Sequence, residues 1–211
     1  PVNLLCRCMA YPSADLIVSA QHVLRYLEDT AEVGLTYCRT TAPIAGSSDA
    51  DWVTSTESTL GWMYQFQSAA VSWSSKKQKT VSNGACEAGI MAASEAAKEG
   101  VYLDALLADL GMPYGVPIPL AVGDNAMNCD TYTLDDDDEK SKHIERRHLW
   151  LRELAGNAQL SFPLVRHVDN PANFFTKALT SRHFHYLRRR IMNTDSRVPR
   201  DTRNGGVSRP H

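Results

Sequence analysis

The sequence contains no apolar run that approaches the roughly 20 residues a membrane-spanning helix needs. Its first residues carry neither the basic nor the apolar segment of a secretory signal peptide. Cysteine is scarce, with five residues in the chain, and their spacing fits no zinc-binding pattern. These features argue against a membrane protein and a zinc module. We expect reduced thiols in an intracellular, non-secreted protein of the cytoplasm or nucleus.

The net charge of −2 conceals two regions of opposite charge. Residues 1–139 contain 7 Lys and Arg against 19 Asp and Glu, whereas residues 140–211 contain 15 against 5. An acidic region can bind cations, and a basic region can bind polyanions such as nucleic acids. A basic region is equally compatible with plain solvated surface. The hydrophobic content of 43% is that of an ordinary folded domain.

Hydrophobic spacing predicts alternating helices and strands. Residues 13–28 place Leu16 and Leu27 at helical intervals behind Ser13, a suitable N-cap. Alternation and aromatic content favour a hairpin of residues 60–66 and 69–73, which a polar loop follows. We further predict strands at 34–39, within 42–52, at 116–122 and 160–168, and helices at 85–99, 101–110, 143–154, 171–179 and 181–192. This order predicts an α/β fold with a mixed sheet.

Two aspartates stand where predicted strands end. Asp49 comes after the strand that ends at Ser48, and Asp124 follows residues 116–122. Ligands gather at strand ends in open α/β sheets. Two carboxylates brought together repel each other unless a cation lies between them, and Mg²⁺ prefers oxygen ligands. The pair therefore indicates a metal site, whereas each aspartate taken alone also suits a strand-end or helix-capping role.

Eight segments of the chain carry recognisable patterns in one consistent order. They are residues 19–37, 48–52 (SDADW), 58–61 (STLG), 71–78 (VSWSSKKQ), 91–99 (MAASEAAKE), 124–125 (DN), 142–144 (KHI) and 169–179 (DNPANFFTKAL). Together they resemble the C-terminal end of a copia-type retrotransposon Pol polyprotein, where the last part of reverse transcriptase precedes a ribonuclease H domain. Eight matches in register make a chance resemblance untenable.

The resemblance implies a ribonuclease-H-like mixed five-stranded sheet with flanking helices, preceded by a short helical and strand piece of the reverse transcriptase connection. It implies a reverse transcriptase remnant at residues 1–41 and a ribonuclease-H-like domain at residues 42–192. Residues 130–140 are then an exposed acidic insertion, and residues 193–211 a disordered basic tail. The implied partners are an RNA–DNA hybrid or other nucleic acid and the rest of the polyprotein, with no membrane.

The implied activity is hydrolysis of the RNA strand of a hybrid by four carboxylates and divalent metal, Mg²⁺ or Mn²⁺. Asp49 matches the first carboxylate and Asp124 the third, whereas Gly89 and Asn173 stand at the second and fourth positions. Glu87 is a weak substitute for the second, because two helical residues are separated by about 200° of rotation. With two anionic ligands missing, we expect impaired hydrolysis.

Basic residues suggest a nucleic-acid-binding face. The candidates that could contact the phosphate backbone are Lys76, Lys77, Lys79, Arg146 and Arg147. Solvated side chains without a ligand are the alternative for this set. The alternative to an enzyme is a catalytically inactive ribonuclease-H-like fold that serves as a nucleic-acid-binding or structural subunit.

Overall fold

A five-stranded sheet with helices on both faces forms the centre of the molecule. The computed structural model describes residues 2–38, 44–52, 58–78, 82, 84–123 and 139–194. The helices are α1 (Val2–Arg7), α2 (Ala14–Asp29), α3 (Ala85–Asp109), α4 (Glu139–Gly156), α5 (Asn173–Thr176) and α6 (Ser181–Met192). The strands are β1 (Ala45–Asp51), β2 (Thr59–Phe66), β3 (Ala69–Lys77), β4 (Ile118–Ala121) and β5 (Leu160–Ser161). Every helix in the described ranges is too short or too polar to cross a lipid bilayer.

The strand order is β3-β2-β1-β4-β5. The first three strands form an antiparallel meander, whereas β4 runs parallel to β1 and β5 runs parallel to β4. A parallel pair requires a crossover connection, and α3 supplies the one between β3 and β4. The predicted α/β fold with a mixed five-stranded sheet and flanking helices is therefore confirmed.

The larger core lies between the sheet and α3. Tyr64 on β2 is completely buried and donates a hydrogen bond of 2.8 Å to the Ala96 carbonyl of α3. Alanines on the buried face of α3 allow the helix to approach the strands closely. Burial, with a smaller contribution from the nearby charge of Glu99, raises the pKa of the Tyr64 hydroxyl far above its ordinary value. The phenol is thus neutral and fixed within the core.

The sequence prediction of two helices at residues 85–99 and 101–110 is wrong, because α3 is continuous through Gly100. A Cβ at Gly100 would overlap the Tyr64 hydroxyl and would lie 3.1 Å from the Tyr64 Cζ. The glycine therefore permits close packing against the sheet instead of ending the helix. Burial of the surrounding face outweighs the weak helix propensity of glycine.

A second, smaller core covers the opposite face of the sheet. Met63 and Ala70 pack there against Leu187 and Ile191 of α6. The predicted strand at residues 34–39 is wrong over its described part, where no strand forms. The Thr36 amide donates to the Met192 carbonyl at the end of α6. The Tyr37 hydroxyl donates to the Ala70 carbonyl of β3, so the contact with the sheet is made by a side chain and not by strand pairing.

Several boundaries also differ from the predictions. Strand β3 continues through Lys77 into the predicted polar loop. Strand β5 ends at Ser161 rather than at residue 168, because Pro163 lacks an amide donor, and only an isolated bridge pairs Leu164 with Val122. Cys86 is disulfide-bonded, which corrects the expectation of reduced thiols, whereas Cys6, Cys8 and Cys38 form no disulfide. Residues 130–138 and 195–211, predicted as an insertion and a tail, lie outside the described residues.

Candidate active site

A cleft lies near the carboxyl ends of β1 and β4. Its volume is about 140 Å³, and its lining residues are Ser48, Asp49, Ala50, Ala85, Gly89, Gly123, Val165, His167, Asn170 and Lys177. Parallel neighbouring strands direct their carboxyl ends to the same edge of a sheet, which explains why β1 and the residues after β4 meet there. Asp124 follows Gly123 directly but lies outside the described residues.

Asp49 is the carboxylate at the centre of this cleft, and its side chain is only 12% exposed. Thr176 donates its hydroxyl to Asp49 Oδ2, and the Lys177 ammonium lies 3.1 Å from Asp49 Oδ1. Gly61 lies opposite Asp49 on β2. A Cβ at Gly61 would come within 2.7 Å of Thr176 and 2.8 Å of Phe175, so the glycine makes room for the residues that bond to Asp49.

Lys177 connects the elements of the cleft. Its Nζ donates to Asp49 Oδ1 and also to Asn173 Oδ1 at 2.8 Å. The third neighbour is His167 Nε2 at 3.0 Å, which accepts when that ring nitrogen carries no proton. An ammonium group has three N–H donors, and this arrangement gives each of them one acceptor.

Asn173 is fully buried and uses both ends of its amide. The carbonyl oxygen accepts from Lys177, and Nδ2 donates to the His167 backbone carbonyl. A carboxylate at this position would have no donor for that carbonyl. Asn170 plays a comparable role, because its Nδ2 donates to the Ser48 carbonyl at 3.0 Å and its Oδ1 accepts from the Ala172 amide. Asn170 thus attaches this segment to β1, whereas Asn173 joins residues within the segment.

The second expected carboxylate position also faces the cleft. Gly89 and Ala85 line it from α3, one helical turn apart. Glu87 is not among the lining residues, as expected for a position about 200° around the helix from Gly89. The structure thus places Gly89 where a longer side chain would enter the cleft, and it does not bring Glu87 there.

The described residues of the cleft do not fit a divalent metal ion. Across the described ranges, no group of three or more His, Cys, Asp or Glu residues converges as a metal site would require. The Asp49 carboxylate already accepts from a hydroxyl and an ammonium group. Asn173 is neutral, and its oxygen is occupied by Lys177. Mg²⁺ and Mn²⁺ favour negatively charged oxygen ligands, of which the described cleft offers one.

The predicted basic face is divided between the two edges of the sheet. Lys76 and Lys77 are exposed on β3, the strand at one edge. Arg146 and Arg147 belong to α4, which packs near β5 at the other edge. Lys79 lies outside the described residues.

Arg147 also has a structural role. It donates to Ser94 Oγ at 2.8 Å and to Glu95 Oε1 at 2.9 Å, which joins α4 to α3. Partial burial raises the pKa of the Glu95 carboxyl, but the hydrogen bonds and charges of Lys98 and Arg147 outweigh it and hold that pKa below its usual value. Arg147 is therefore engaged within the protein.

Sequence reasoning did not identify Thr176, Lys177 or Asn170 as members of the site. Lys177 follows Asn173 by four residues, the spacing at which helical side chains are neighbours. That spacing was the available signal. It shows that the two side chains can meet, but it does not reveal that Asp49 lies across from them on β1.

No protein-family model matches the chain. It is 27% identical over 186 residues to the retrovirus-related Pol polyprotein from transposon TNT 1-94 of Nicotiana tabacum, which covers 87% of this chain and 14% of that protein. It is 46% identical over 106 residues to secreted RxLR effector protein 161 of Plasmopara viticola, covering 48% of this chain and 75% of that protein. The crystal structure of LC11-RNase H1 in complex with RNA/DNA hybrid matches 64% of this chain and 94% of that chain, with 11% identity and a TM-score of 0.43.

The chain therefore spans about one seventh of the length of its Pol relative. Its similarity to several such polyproteins extends over most of its own length. The homologues of the chain include copia-type, retrovirus-related Pol polyproteins, which are 27–29% identical to it over most of its length.

Proposed function

We propose that the chain is the ribonuclease H domain of a copia-type Pol polyprotein, and that its hydrolysis of the RNA strand in RNA–DNA hybrids is strongly impaired. The observation that carries the proposal is Asp49, a mostly buried carboxylate on the central strand of the sheet, in a cleft that Gly89 also lines. Similarity to retrovirus-related Pol polyproteins supports the ribonuclease H assignment. The neutral residues at positions 89 and 173 support the impairment.

Each proposed site residue has a distinct part. Asp49 is the carboxylate retained in the described cleft. Asp124, directly after the cleft residue Gly123, is proposed as the other retained carboxylate. Gly89 contributes no ligand, and Asn173 contributes only an amide. Two divalent ions need several anionic oxygens to hold them, so this set should not support efficient two-metal hydrolysis.

The proposed organisation follows the same homology. Residues 42–192 form the ribonuclease H domain, and residues 1–41 are the end of the reverse transcriptase part. The proposed partners are an RNA–DNA hybrid and the remainder of the polyprotein, within the cell. Lys76, Lys77, Lys79 and Arg146 are proposed to contact the phosphate backbone.

A hybrid-cleavage assay with the full chain tests this function. An RNA–DNA hybrid labelled on the RNA strand is incubated with Mg²⁺ or with Mn²⁺, and product formation is followed. We expect the native chain to cleave orders of magnitude more slowly than the Gly89→Glu/Asn173→Asp double variant, which restores two carboxylates. Glu87→Gln is the matched control and should leave the rate unchanged.

Two results would contradict the proposal. Efficient turnover by the native chain that Asp49→Asn abolishes would refute the impairment. A folded double variant that neither cleaves nor binds the hybrid would refute the ribonuclease H assignment.

The second candidate is a non-enzymatic nucleic-acid-binding or structural subunit with the same fold. The Lys177–Asp49 ion pair favours it, because it engages the cleft carboxylate without a metal ion. Binding of a hybrid in this role should weaken steeply as salt is raised, since phosphate contacts release counterions. Binding that is insensitive to salt, measured by fluorescence anisotropy, would argue against it.

A further inference from the structure

We infer that the ammonium group of Lys177 is the resident cation of the cleft and that Asp49 binds it in place of a divalent metal ion. The inference rests on the proposed function, because it concerns the same cleft and the same carboxylate. In this view the cleft is not simply a metal site that lacks ligands. The charge of Asp49 is balanced by a lysine of the same protein.

The coordination of Lys177 is the first argument. Three acceptors surround Nζ at 2.8–3.1 Å: Asp49 Oδ1, Asn173 Oδ1 and His167 Nε2. These are ordinary lengths for hydrogen bonds from a charged donor. Two of the three acceptors come from the positions that match the first and fourth metal-ligating carboxylates in the family resemblance. The ammonium group therefore uses the oxygens that a metal ion would require.

Charge balance is the second argument. Among the residues around Lys177 Nζ, Asp49 is the anion, and the Asn173 amide and the Thr176 hydroxyl are neutral. Among the described residues, one negative and one positive charge already cancel. A divalent ion added here would face one described carboxylate and an adjacent ammonium group, which repels it. Salt screens this repulsion only weakly, because the Asp49 and Lys177 side chains are 12% and 22% exposed.

The third argument is that the lysine is held in place. Asn173, one helical turn earlier, is fully buried and bonded through both ends of its amide. Thr176, the residue before the lysine, bonds to the same carboxylate. Gly61 leaves the space for this turn against β2. Lys177 is thus held by the anchored residues that precede it, unlike a lysine that projects into solvent.

Manganese binding in the absence of nucleic acid tests the inference. Mn²⁺ is titrated into the full chain, and the free ion is measured by its electron paramagnetic resonance signal. The quantity of interest is the binding that Asp49→Asn removes, since acidic residues elsewhere can also bind Mn²⁺. The variants are Asp49→Asn, Lys177→Met and Lys98→Met, and the two lysine changes are each also combined with Asp49→Asn. Lys98 is a matched control because it also pairs with a carboxylate, at 2.7 Å from Glu95, but on an exposed part of α3.

We expect no Asp49-dependent binding in the native chain or in Lys98→Met. Lys177→Met should gain such binding and raise the overall affinity for Mn²⁺ at least about tenfold above that of the native chain, because the repelling charge beside Asp49 is gone. The Asp49→Asn change should remove the gain. Asp49-dependent Mn²⁺ binding by the native chain, or a folded Lys177→Met variant with no gain, would overturn the inference.

Circular dichroism establishes that each variant is folded. If Lys177→Met does not fold, Lys177→Gln provides the same loss of charge with a side chain that still accepts and donates hydrogen bonds. Because no nucleic acid is present, the result is independent of hybrid cleavage. If the double variant neither cleaves nor binds the hybrid but Lys177→Met gains Asp49-dependent Mn²⁺ binding, the proposed function is refuted and the inference about Lys177 stands. If cleavage agrees with the proposed function but Lys177→Met gains no such binding, the inference is refuted and the proposed function stands.

Discussion

The two glycines within α3 lie in contrasting surroundings. Gly100 packs against the sheet so closely that any side chain would meet the Tyr64 ring. Gly89, three turns earlier, lines an open cleft. The same residue type is therefore required by packing at one end of the helix and leaves a functional position empty at the other. The role of a glycine in a helix therefore depends on what packs against that part of the helix.

We expect the greatest loss of stability from a substitution at Gly100, the closely packed glycine. Gly100→Ala should destabilise the protein by about 2–3 kcal/mol, because the new methyl group overlaps the Tyr64 hydroxyl in a closed core. Urea unfolding measures the loss. The penalty should shrink in a Tyr64→Phe background, which removes the overlapping oxygen but keeps the ring.

Gly156 at the end of α4 is the control for Gly100. A Cβ there has no neighbour within 4 Å, so Gly156→Ala should change stability by no more than about 1 kcal/mol. Equal penalties at Gly100 and Gly156 would show that Tyr64 can move aside and that the close packing is not a constraint.

The fold was predictable wherever local signals agreed with packing. Helix α6 has its predicted bounds, because Thr180 caps its first turn and Asn193, with a φ of 53°, ends it in the left-handed conformation. The helix break predicted at Gly100 is wrong. Helix propensity depends on the local sequence and carries no information about Tyr64 of β2, against which Gly100 packs. The strand predicted at residues 34–39 failed for a similar reason, since its apolar residues pack beside α6 without pairing to a strand.

Removal of the Lys177 charge is expected to have the next largest effect. Lys177→Met should destabilise the protein by about 1–2 kcal/mol, because it leaves a mostly buried carboxylate and a buried amide oxygen without their donor. Lys98→Met removes an exposed ion pair and should cost less than about 0.5 kcal/mol. Equal losses of stability in the two variants would show that the Lys177 ion pair contributes no more than an exposed ion pair.

The candidate site was predictable in position but not in chemistry. Asp49 and Asn173 could be assigned because each lies in a segment that matches the family pattern, and Gly89 because it lies just before the matching segment at residues 91–99. The bonds from Asn173 and Lys177 could not, because they depend on how the turn before α6 crosses β1 and on the space left by Gly61. Sequence spacing fixes which residues are neighbours in a helix, whereas contact with another strand is a property of the folded chain.

Gly89→Ala tests the glycine that lines the cleft. Its effect on the free energy of unfolding should have the opposite sign from that of Gly100→Ala. Because Gly89 lines the cleft, we expect a methyl group there to meet little resistance, and alanine is the better helix former. We expect a stabilisation of about 0.5–1 kcal/mol in urea unfolding. A destabilisation comparable to that of Gly100→Ala would mean that both ends of α3 are closely packed, and the contrast between the two glycines would disappear.

The smallest effect concerns Glu95, which lies between the two glycines and anchors α3 to α4 through Arg147. Because its folded-state pKa is held below the ordinary value, the carboxylate contributes stability above that value and loses it as the pH falls through the folded-state pKa. Glu95→Gln should therefore lower stability by less than about 1 kcal/mol at neutral pH, since the pair is partly solvated. The difference from the native chain should vanish in acid. A difference that persists below the titration range of carboxylates would show that the Glu95 side chain stabilises the helix pair by packing rather than by charge.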